Sequence, residues 1–301
     1  MSESVITVSL TPEVRDGERG EMMRKDLETL LRKSSCPHIA VCGGTNEIRV
    51  KLVKMLLLSI RTPFYLMDWD MDYCDVPALT VEPPFPLPST INMISLISDL
   101  EYLSEEKNPL IFPNTVLAMY GKRATSLKGL ERILSSFLNI AAVDATILQE
   151  VLRTLGIIRV LEKDFKPHME IPEPPVRFDL SPVVDLMERM WCQKVLAYTI
   201  FLSRPLKPPD EVALVIDEGS GMAKRFLEFL SASARKRGIR LIYVSQNLPP
   251  AGALTNFVCF LSPVTARFEW AERLGIPFLP ESRPDEFFFW DGFRLKRIKI
   301  K

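Results

Sequence analysis

The sequence predicts an α/β fold with a mostly parallel sheet flanked by helices. Two observations support this prediction. The run Val212–Ile216 is continuously apolar and rich in β-branched residues, which is typical of a parallel strand buried on both faces, and Ile239–Ser245 is predicted to be a second buried strand. Segments with apolar residues at three- and four-residue steps separate such runs, and strands that alternate with helices predict parallel pairing.

The predicted elements follow from these two patterns. The core strands are expected at Ile39–Cys42, Phe64–Leu66, Val212–Ile216, Ile239–Ser245 and Phe257–Leu261, with further strands at Val5–Leu10, Val176–Leu180, Glu286–Trp290 and, as a basic edge strand, Phe293–Lys301. Helices are expected at Glu21–Lys33, Glu47–Ile60, Met93–Leu103, Ser126–Ile140, Asp144–Leu155, Pro182–Leu202, Met222–Lys236 and Arg267–Leu274. Gly156 is expected to end one helix, and the long helix from Pro182 is expected to bury Val184, Leu186 and Met187.

Composition and length place limits on the organisation of the chain. The 301 residues include 38 basic and 38 acidic side chains, so no global field attracts nucleic acid or anionic membranes. We expect an N-terminal strand and helix extension at 1–36 and one domain at 37–301, with a helical insertion at about 91–161.

The cysteines and the hydropathy pattern indicate a compartment. Five cysteines occur without a C-x-x-C pair, which favours a reducing environment over a zinc site or a disulfide framework. No apolar run approaches the roughly 20 residues of a membrane span, and the first residues are polar and acidic, unlike a signal peptide. These features predict a cytoplasmic protein without a membrane span.

A strand, a glycine pair and a helix follow one another at Pro37–Val50. This is the plan of a phosphate-binding loop, in which backbone N–H groups and a helix N-terminus hold an anion. Gly43, Gly44, Thr45 and Arg49 are therefore the candidate nucleotide-binding residues.

The loop departs from the nucleotide-binding pattern G-x-x-x-x-G-K-[ST]. With Gly43 as the first glycine, Ile48 stands at the second glycine, Arg49 at the lysine and Val50 at the hydroxyl that binds Mg²⁺. An arginine fork is not interchangeable with a lysine at a tight site, and valine cannot bind a metal. We therefore expect no cofactor at this loop, and ATP with Mg²⁺ only if the protein is an active enzyme.

Two carboxylates follow the apolar strand Val212–Ile216. In P-loop ATPases, an aspartate at this place supports Mg²⁺ and an adjacent glutamate polarises the attacking water. Asp217 and Glu218 are the candidates for these roles, with Asp217 as the candidate metal ligand. Gln246, which follows the strand Ile239–Ser245, completes the set of candidate catalytic residues of an active enzyme.

Five segments occur in a characteristic order along the chain: Pro37-His-Ile-Ala-Val41, Phe64-Tyr-Leu-Met-Asp68, Arg177-Phe-Asp-Leu-Ser181, Ala234-Arg-Lys-Arg-Gly238 and Tyr243-Val-Ser-Gln-Asn-Leu-Pro249. Together they resemble the FtsK/HerA superfamily of DNA-pumping P-loop ATPases. The resemblance runs from about Pro37 to the C-terminus. It implies a RecA-like P-loop core and, because members of the family form hexameric rings, a homo-oligomer or association with an active ATPase paralogue, together with DNA.

Three hypotheses follow. The first is a non-hydrolysing structural or regulatory subunit of a DNA-translocation or DNA-processing assembly, because the loop chemistry is lost on an intact frame. The second is an active, DNA-stimulated ATPase that uses Arg49, Asp217 and Glu218. The third is an anion or small-molecule binder that reuses the Gly43–Thr45 turn.

Arg235, Lys236 and Arg237 are candidates for an arginine finger across a subunit interface or for contacts with DNA; a solvated helix end is the alternative.

Overall fold

The computed structural model describes residues 27–31, 36–104, 127–138, 145–262, 267–280 and 286–299. The strands in these ranges, β1 to β11, are His38–Gly43, Phe64–Asp68, Leu79–Val81, Phe85–Leu87, Phe165–Pro167, Val176–Asp179, Val212–Ile216, Ile239–Ser245, Phe257–Ser262, Glu286–Trp290 and Leu295–Lys299. The helices, α1 to α8, are Asn46–Ile60, Met93–Ser104, Leu127–Phe137, Ala145–Asp164, Leu186–Ser203, Lys224–Ser233, Ala251–Leu254 and Arg267–Leu274.

Nine strands form one sheet in the order β11-β10-β9-β1-β8-β7-β2-β6-β3. Neighbouring strands are parallel from β9 to β3, whereas β10 is antiparallel to both β9 and β11. The remaining strands, β4 and β5, pair with each other. The prediction of a mostly parallel α/β sheet flanked by helices is confirmed, and the basic C-terminal strand lies at an edge.

The hydrophobic core has two layers because side chains alternate between the faces of the sheet. Ala40 and Cys42 of β1 belong to the layer that includes residues of α2, α4, α5 and α6. Ile39 and Val41 point to the opposite face, where α1 contributes Leu52, Val53 and Leu56. Burial of each such aliphatic side chain stabilises the fold by roughly 1.5–3 kcal/mol, which accounts for strands that are apolar on both faces.

Gly156 does not end a helix, so this prediction is wrong. Helix α4 continues through it to Asp164. A glycine inside a helix is unfavourable by about 1 kcal/mol relative to alanine, but Ile157, Ile158 and Leu161 beyond it are fully buried. Their burial outweighs the local preference of the glycine.

The long helix after β6 begins later than predicted. Helix α5 starts at Leu186, where the Asp185 carboxylate caps it by accepting a hydrogen bond from the backbone N–H of Glu188 at 2.9 Å. Val184, Leu186 and Met187 are exposed to 90, 61 and 58% rather than buried. The apolar spacing is correct, but these three residues lie at or before the first turn, beyond the layer of helices that covers the sheet.

Other differences are local. The proline-rich stretch 76–90 contains the short strands β3 and β4, and the helix predicted at Met222–Lys236 divides into α6 and a 3₁₀ turn, Ala234–Arg237, before Gly238. The predicted strand Val5–Leu10 lies outside the described residues, as does the predicted helix Glu21–Lys33 apart from the helical residues 27–31. The division into 1–36, 37–301 and an insertion at 91–161 stays a prediction.

Candidate functional site

The predicted loop, acidic pair and glutamine lie together at the carboxyl ends of neighbouring parallel strands. Gly43–Thr45 follows β1, Asp217 and Glu218 follow β7, and Gln246 follows β8. Because β8 lies between β1 and β7 and all three strands are parallel, their carboxyl ends meet. The fold therefore brings these candidate residues together, although they are distant in sequence.

The glycine pair makes a turn that other residues could not adopt without strain. Gly43 and Gly44 have φ values of +77° and +68°, which lie in the left-handed region that L side chains disfavour. A Cβ at Gly43 would also lie 2.4 Å from the Ser262 carbonyl oxygen and 2.8 Å from the Trp270 ring. Both the backbone conformation and the close approach of β9 and α8 therefore require glycine at Gly43.

Arg49 fills the space that the loop encloses. Its side chain comes from the first turn of α1 and is 1% exposed. Nη1 donates to the carbonyl oxygens of Gly44 at 3.2 Å and Gly43 at 3.5 Å, and Nη2 donates to Asn46 Oδ1 at 3.2 Å and to Glu218 Oε1 at 2.5 Å. The loop thus presents carbonyl acceptors to its own guanidinium, the opposite polarity from a loop whose N–H groups face an anion.

The two neighbouring departures from the nucleotide pattern belong to the core. Val50 is 7% exposed and lies in the same hydrophobic layer as Leu52 and Val53. Ile48 is half-buried and packs against that layer. Thr45 precedes α1, and its hydroxyl makes no capping hydrogen bond.

The backbone at Glu218 is constrained by its conformation and by the packing of the next residue. Its φ and ψ of 47° and 44° are left-handed, a conformation that is unfavourable by roughly 1 kcal/mol or more for a residue with a side chain. The next residue, Gly219, lies so close to Tyr243 that a Cβ there would be 2.4 Å from the ring. The constrained backbone aims the carboxylate, 27% exposed, at Arg49.

Asp217 is buried beside other acids. It is 1% exposed, Oδ1 accepts a hydrogen bond from the Tyr73 hydroxyl at 3.5 Å, and Oδ2 has no partner within the described part of the chain. Burial, together with the charges of Glu218 and Asp68, raises the pKa of Asp217 to about 7. The carboxyl group is therefore substantially protonated near neutral pH.

Asp68 ends β2, next to the acidic strand end of β7. It is fully buried, and Oδ2 pairs with Arg177 Nη1 at 3.2 Å and accepts from the backbone N–H of Tyr73 at the same distance. Burial raises the pKa of Asp68, while the hydrogen bond with Tyr73 and the charge of Arg177 lower it. Tyr73 and Arg177 were not among the predicted site residues; the strand-ending Asp68 was the available signal for a polar cluster here.

Gln246 joins the loop from the next strand. Its amide Nε2 donates to the Gly44 carbonyl oxygen at 3.3 Å, so two donors, Gln246 and Arg49, share that oxygen. The residue is exposed, whereas Ser245 before it is buried and its hydroxyl accepts from the backbone N–H of Asn247 at 3.1 Å.

The basic residues 235–237 lie at the amino ends of the parallel strands, before the first residue of β8, whereas the candidate site lies at the carboxyl ends. Arg237 donates to the carbonyl oxygens of Leu202 and Arg204 and lies over the Phe201 ring, 4.6 Å from its centroid, so it closes the C-terminal end of α5. Arg235 and Lys236 are exposed. The fold does not bring these three to this chain's own candidate site, and a contact in trans or with DNA stays a prediction.

An open cleft of about 650 Å³ lies above the filled loop. Trp69, Leu186 and Met190 form an apolar wall, and the other lining residues are Asn46, Arg49, Asp70, Glu218, Ser220, Gly221 and Gln246. Arg189 holds the Trp69 side chain in position: its guanidinium lies over the indole ring, 5.2 Å from the centroid, and pairs with Asp70 at 2.9 Å.

Neither a metal-binding cluster nor a membrane-spanning helix is found within the ranges that the structure describes. No group of three or more His, Cys, Asp or Glu side chains there could hold a metal ion. None of the helices there is long and apolar enough to cross a lipid bilayer.

Sequence comparisons give no match: no protein-family model fits the chain, and no curated protein is similar in sequence. Solved structures do match. VirB4 of Thermoanaerobacter pseudethanolicus has a TM-score of 0.60 at 13% identity, over 88% of this chain and 89% of that one. The bacterial conjugative coupling protein TrwBΔN70 with sulphate has a TM-score of 0.57 at 13% identity, over 90 and 86%, and TrwB with ADP and Mg²⁺ has 0.54 at 14%, over 96 and 92%.

These similarities concern the fold. The chain has the α/β fold of RecA-like P-loop ATPases, and its structure is similar to those of VirB4 and TrwB. The two TrwB structures contain an anion or a nucleotide with its metal, whereas the loop of this chain contains the Arg49 guanidinium.

Proposed function

We propose that the chain is a non-hydrolysing structural or regulatory subunit of a DNA-translocation or DNA-processing assembly. The observation that carries this proposal is the Arg49 guanidinium, which fills the loop and pairs with Glu218 at 2.5 Å. Structural similarity to VirB4 and TrwB supports a role of the frame in such an assembly.

ATP with Mg²⁺ does not fit the residues present. A bound phosphate needs N–H donors, but the carbonyl oxygens of Gly43 and Gly44 point at the guanidinium instead. Val50 offers Mg²⁺ no oxygen, and Mg²⁺ requires near-octahedral oxygen ligation. Asp217 is buried and its pKa is raised to about 7, so at neutral pH only part of the population carries the ionised carboxylate that a metal would need.

The Arg49–Glu218 pair also removes the group that would activate water. In an active enzyme Glu218 would accept a proton from water. Here its Oε1 accepts a hydrogen bond from the buried Arg49 guanidinium, so this oxygen is already engaged by the protein rather than by a water molecule. No catalytic step follows from this arrangement.

The test is phosphate release from ATP with and without single-stranded and double-stranded DNA. We expect the wild-type chain and Glu218→Gln to release phosphate at the same rate as a protein-free control. DNA-stimulated release that Glu218→Gln abolishes would contradict the proposal and support the active ATPase. Binding of sulfate without any nucleotide affinity would instead support an anion binder at Gly43–Thr45.

A further inference from the structure

The mouth of the cleft carries an exposed apolar surface. Val184, Leu186 and Met187, here called the cleft-mouth surface, are 90, 61 and 58% exposed, and Leu186 continues into the wall formed by Trp69 and Met190. Adjacent large apolar side chains at this level of exposure mark interaction sites on soluble proteins more often than scattered single ones do.

The surroundings of this surface are acidic. Three carboxylates lie at the cleft, on Asp70, Asp72 and Glu218, against two guanidinium groups, on Arg49 and Arg189. Asp72 pairs with a neutral partner, the Asn46 amide, at 2.5 Å. One net negative charge therefore remains, which favours a partner that is basic as well as apolar.

The β10–β11 hairpin of the same chain has this chemistry. Phe293 at its tip is 88% exposed, and the tip has a defined shape because Asp291 Oδ1 accepts from the backbone N–H of Phe293 at 3.0 Å and of Arg294 at 2.8 Å. The hairpin carries four basic residues against two acidic ones, a net charge of two positive; the six residues are Arg294, Lys296, Arg297, Lys299, Glu286 and Asp291.

The hairpin tip cannot reach the cleft of its own chain. Trp290 lies opposite Cys259 and Phe288 lies opposite Leu261, so the tip is at the amino ends of the parallel strands, whereas the cleft is at their carboxyl ends. Six residues of β9 separate the two edges, about 20 Å at 3.3 Å per residue. The hairpin and strands β2 and β6 are also at opposite sides of the sheet.

We propose that the cleft of one copy binds the hairpin tip of a second copy, with Phe293 against the cleft-mouth surface and Met190 and with Arg294 toward Asp70. The cleft volume of about 650 Å³ is within the range of sites that enclose a ligand group of this size. The contact joins two different surfaces, so it is heterologous and propagates into rings or open chains. The inference rests on the proposed function, because a loop that no nucleotide fills leaves the cleft available to a protein.

The experiment measures mass by light scattering and sedimentation across a concentration series up to about 100 μM. We expect concentration-dependent assembly of the wild type and at least about tenfold weaker self-association of Phe293→Asp and of Met187→Asp, because each places a charge in an apolar contact. Leu206→Asp is the matched control: Leu206 is 67% exposed but precedes β7, at the end of the strands opposite the cleft and four strands from β10, so assembly should persist.

Mixing the two variants gives the sharper result. The Phe293→Asp chain keeps its cleft and the Met187→Asp chain keeps its hairpin, so an equimolar mixture has one functional contact per pair and should form dimers that do not grow further. A wild type that stays monomeric, unchanged assembly of Phe293→Asp, a mixture that stays monomeric or an equal loss with Leu206→Asp would each overturn the inference.

Two checks keep these outcomes interpretable. Phe293→Ser and Arg294→Glu replace Phe293→Asp if its thermal unfolding differs from that of the wild type, and both are expected to weaken assembly. ATP titration of the same samples separates the two proposals: nucleotide binding with hairpin-dependent assembly contradicts the proposed function alone, and a monomer without nucleotide affinity contradicts this inference alone.

Discussion

Replacement of either partner in the Arg49–Glu218 pair should destabilise the fold to different extents. Glu218→Gln leaves the guanidinium, 1% exposed, without its ionic partner. Removal of one partner from a fully buried pair costs about 3–5 kcal/mol and from an exposed pair about 0–1 kcal/mol. Because Glu218 is 27% exposed and three other acceptors remain for Arg49, we expect about 2 kcal/mol.

Arg49→Met should destabilise by less, about 1 kcal/mol, for two reasons. The remaining Glu218 carboxylate can be hydrated, since it is partly exposed, and the Arg49 Nε that is lost has no acceptor within the described residues, so an unfavourable group disappears with it. The double variant should then show a coupling energy of about 1–2 kcal/mol.

Thermal unfolding, monitored by circular dichroism, measures the stabilities of the wild type and the three variants in this double-mutant cycle. For a chain of this length, 1 kcal/mol corresponds to roughly 2 °C in Tm, so we expect decreases of about 4 °C for Glu218→Gln and about 2 °C for Arg49→Met. The exposed pair Arg240–Glu211, at 2.7 Å, is the control and should give a coupling below about 1 kcal/mol. A coupling energy near zero, or a larger loss of stability in Arg49→Met than in Glu218→Gln, would refute the conclusion that the Arg49 guanidinium fills the loop and pairs with Glu218.

Three further predictions concern neighbouring groups. Burial raises the pKa of Asp217 from 3.8 to about 7, so the folded state holds a proton that the unfolded state releases; the contribution of this group to stability should fall as pH rises from about 4 to 7, and Asp217→Asn should gain stability relative to wild type between pH 4 and pH 8 in thermal melts. Burial lowers the pKa of His38 from 6.5 to about 4, so the contribution of this group has the opposite sign: it is present above pH 6.5 and is lost toward pH 4, and in urea titrations the difference between the wild type and a less stable His38→Gln chain should shrink as pH falls from 6.5 to 4. Gly43→Ala, with a Cβ 2.4 Å from a carbonyl oxygen, should lower the urea midpoint far more than Gly292→Ala, which has φ +94° but nothing within 4 Å; equal midpoints would contradict the close packing at Gly43.

The strands and their placement could be predicted because few structures suit their sequences. Val212–Ile216 is apolar at all five positions and Ile239–Ser245 at five of seven, and both are strands with the predicted bounds. Parallel pairing of such strands puts Gly43, Asp217 and Gln246 at one edge by geometry. The helix bounds depended instead on tertiary packing: the buried residues after Gly156 extend α4, and the exposed Val184 lies before the first turn of α5.

The state of the loop could not be predicted from the sequence. An arginine at Arg49 could point to solvent, to a phosphate or into the loop, and only its contacts with Gly44 and Glu218 distinguish these directions. Tyr73 and Arg177 were missed because neither belongs to a recognisable spacing; they reach the site through Asp68, which ends a strand next to the acidic pair.

Calorimetric titration with ATP and Mg²⁺ tests the central claim most directly. We predict no binding to the wild type and a gain of binding in the variant Ile48→Gly, Arg49→Lys, Val50→Thr, which restores the glycine, the lysine and the metal-binding hydroxyl of the nucleotide pattern and serves as the positive control. ATP binding to the wild-type chain with a Kd in the micromolar range, about −8 kcal/mol, would contradict the account.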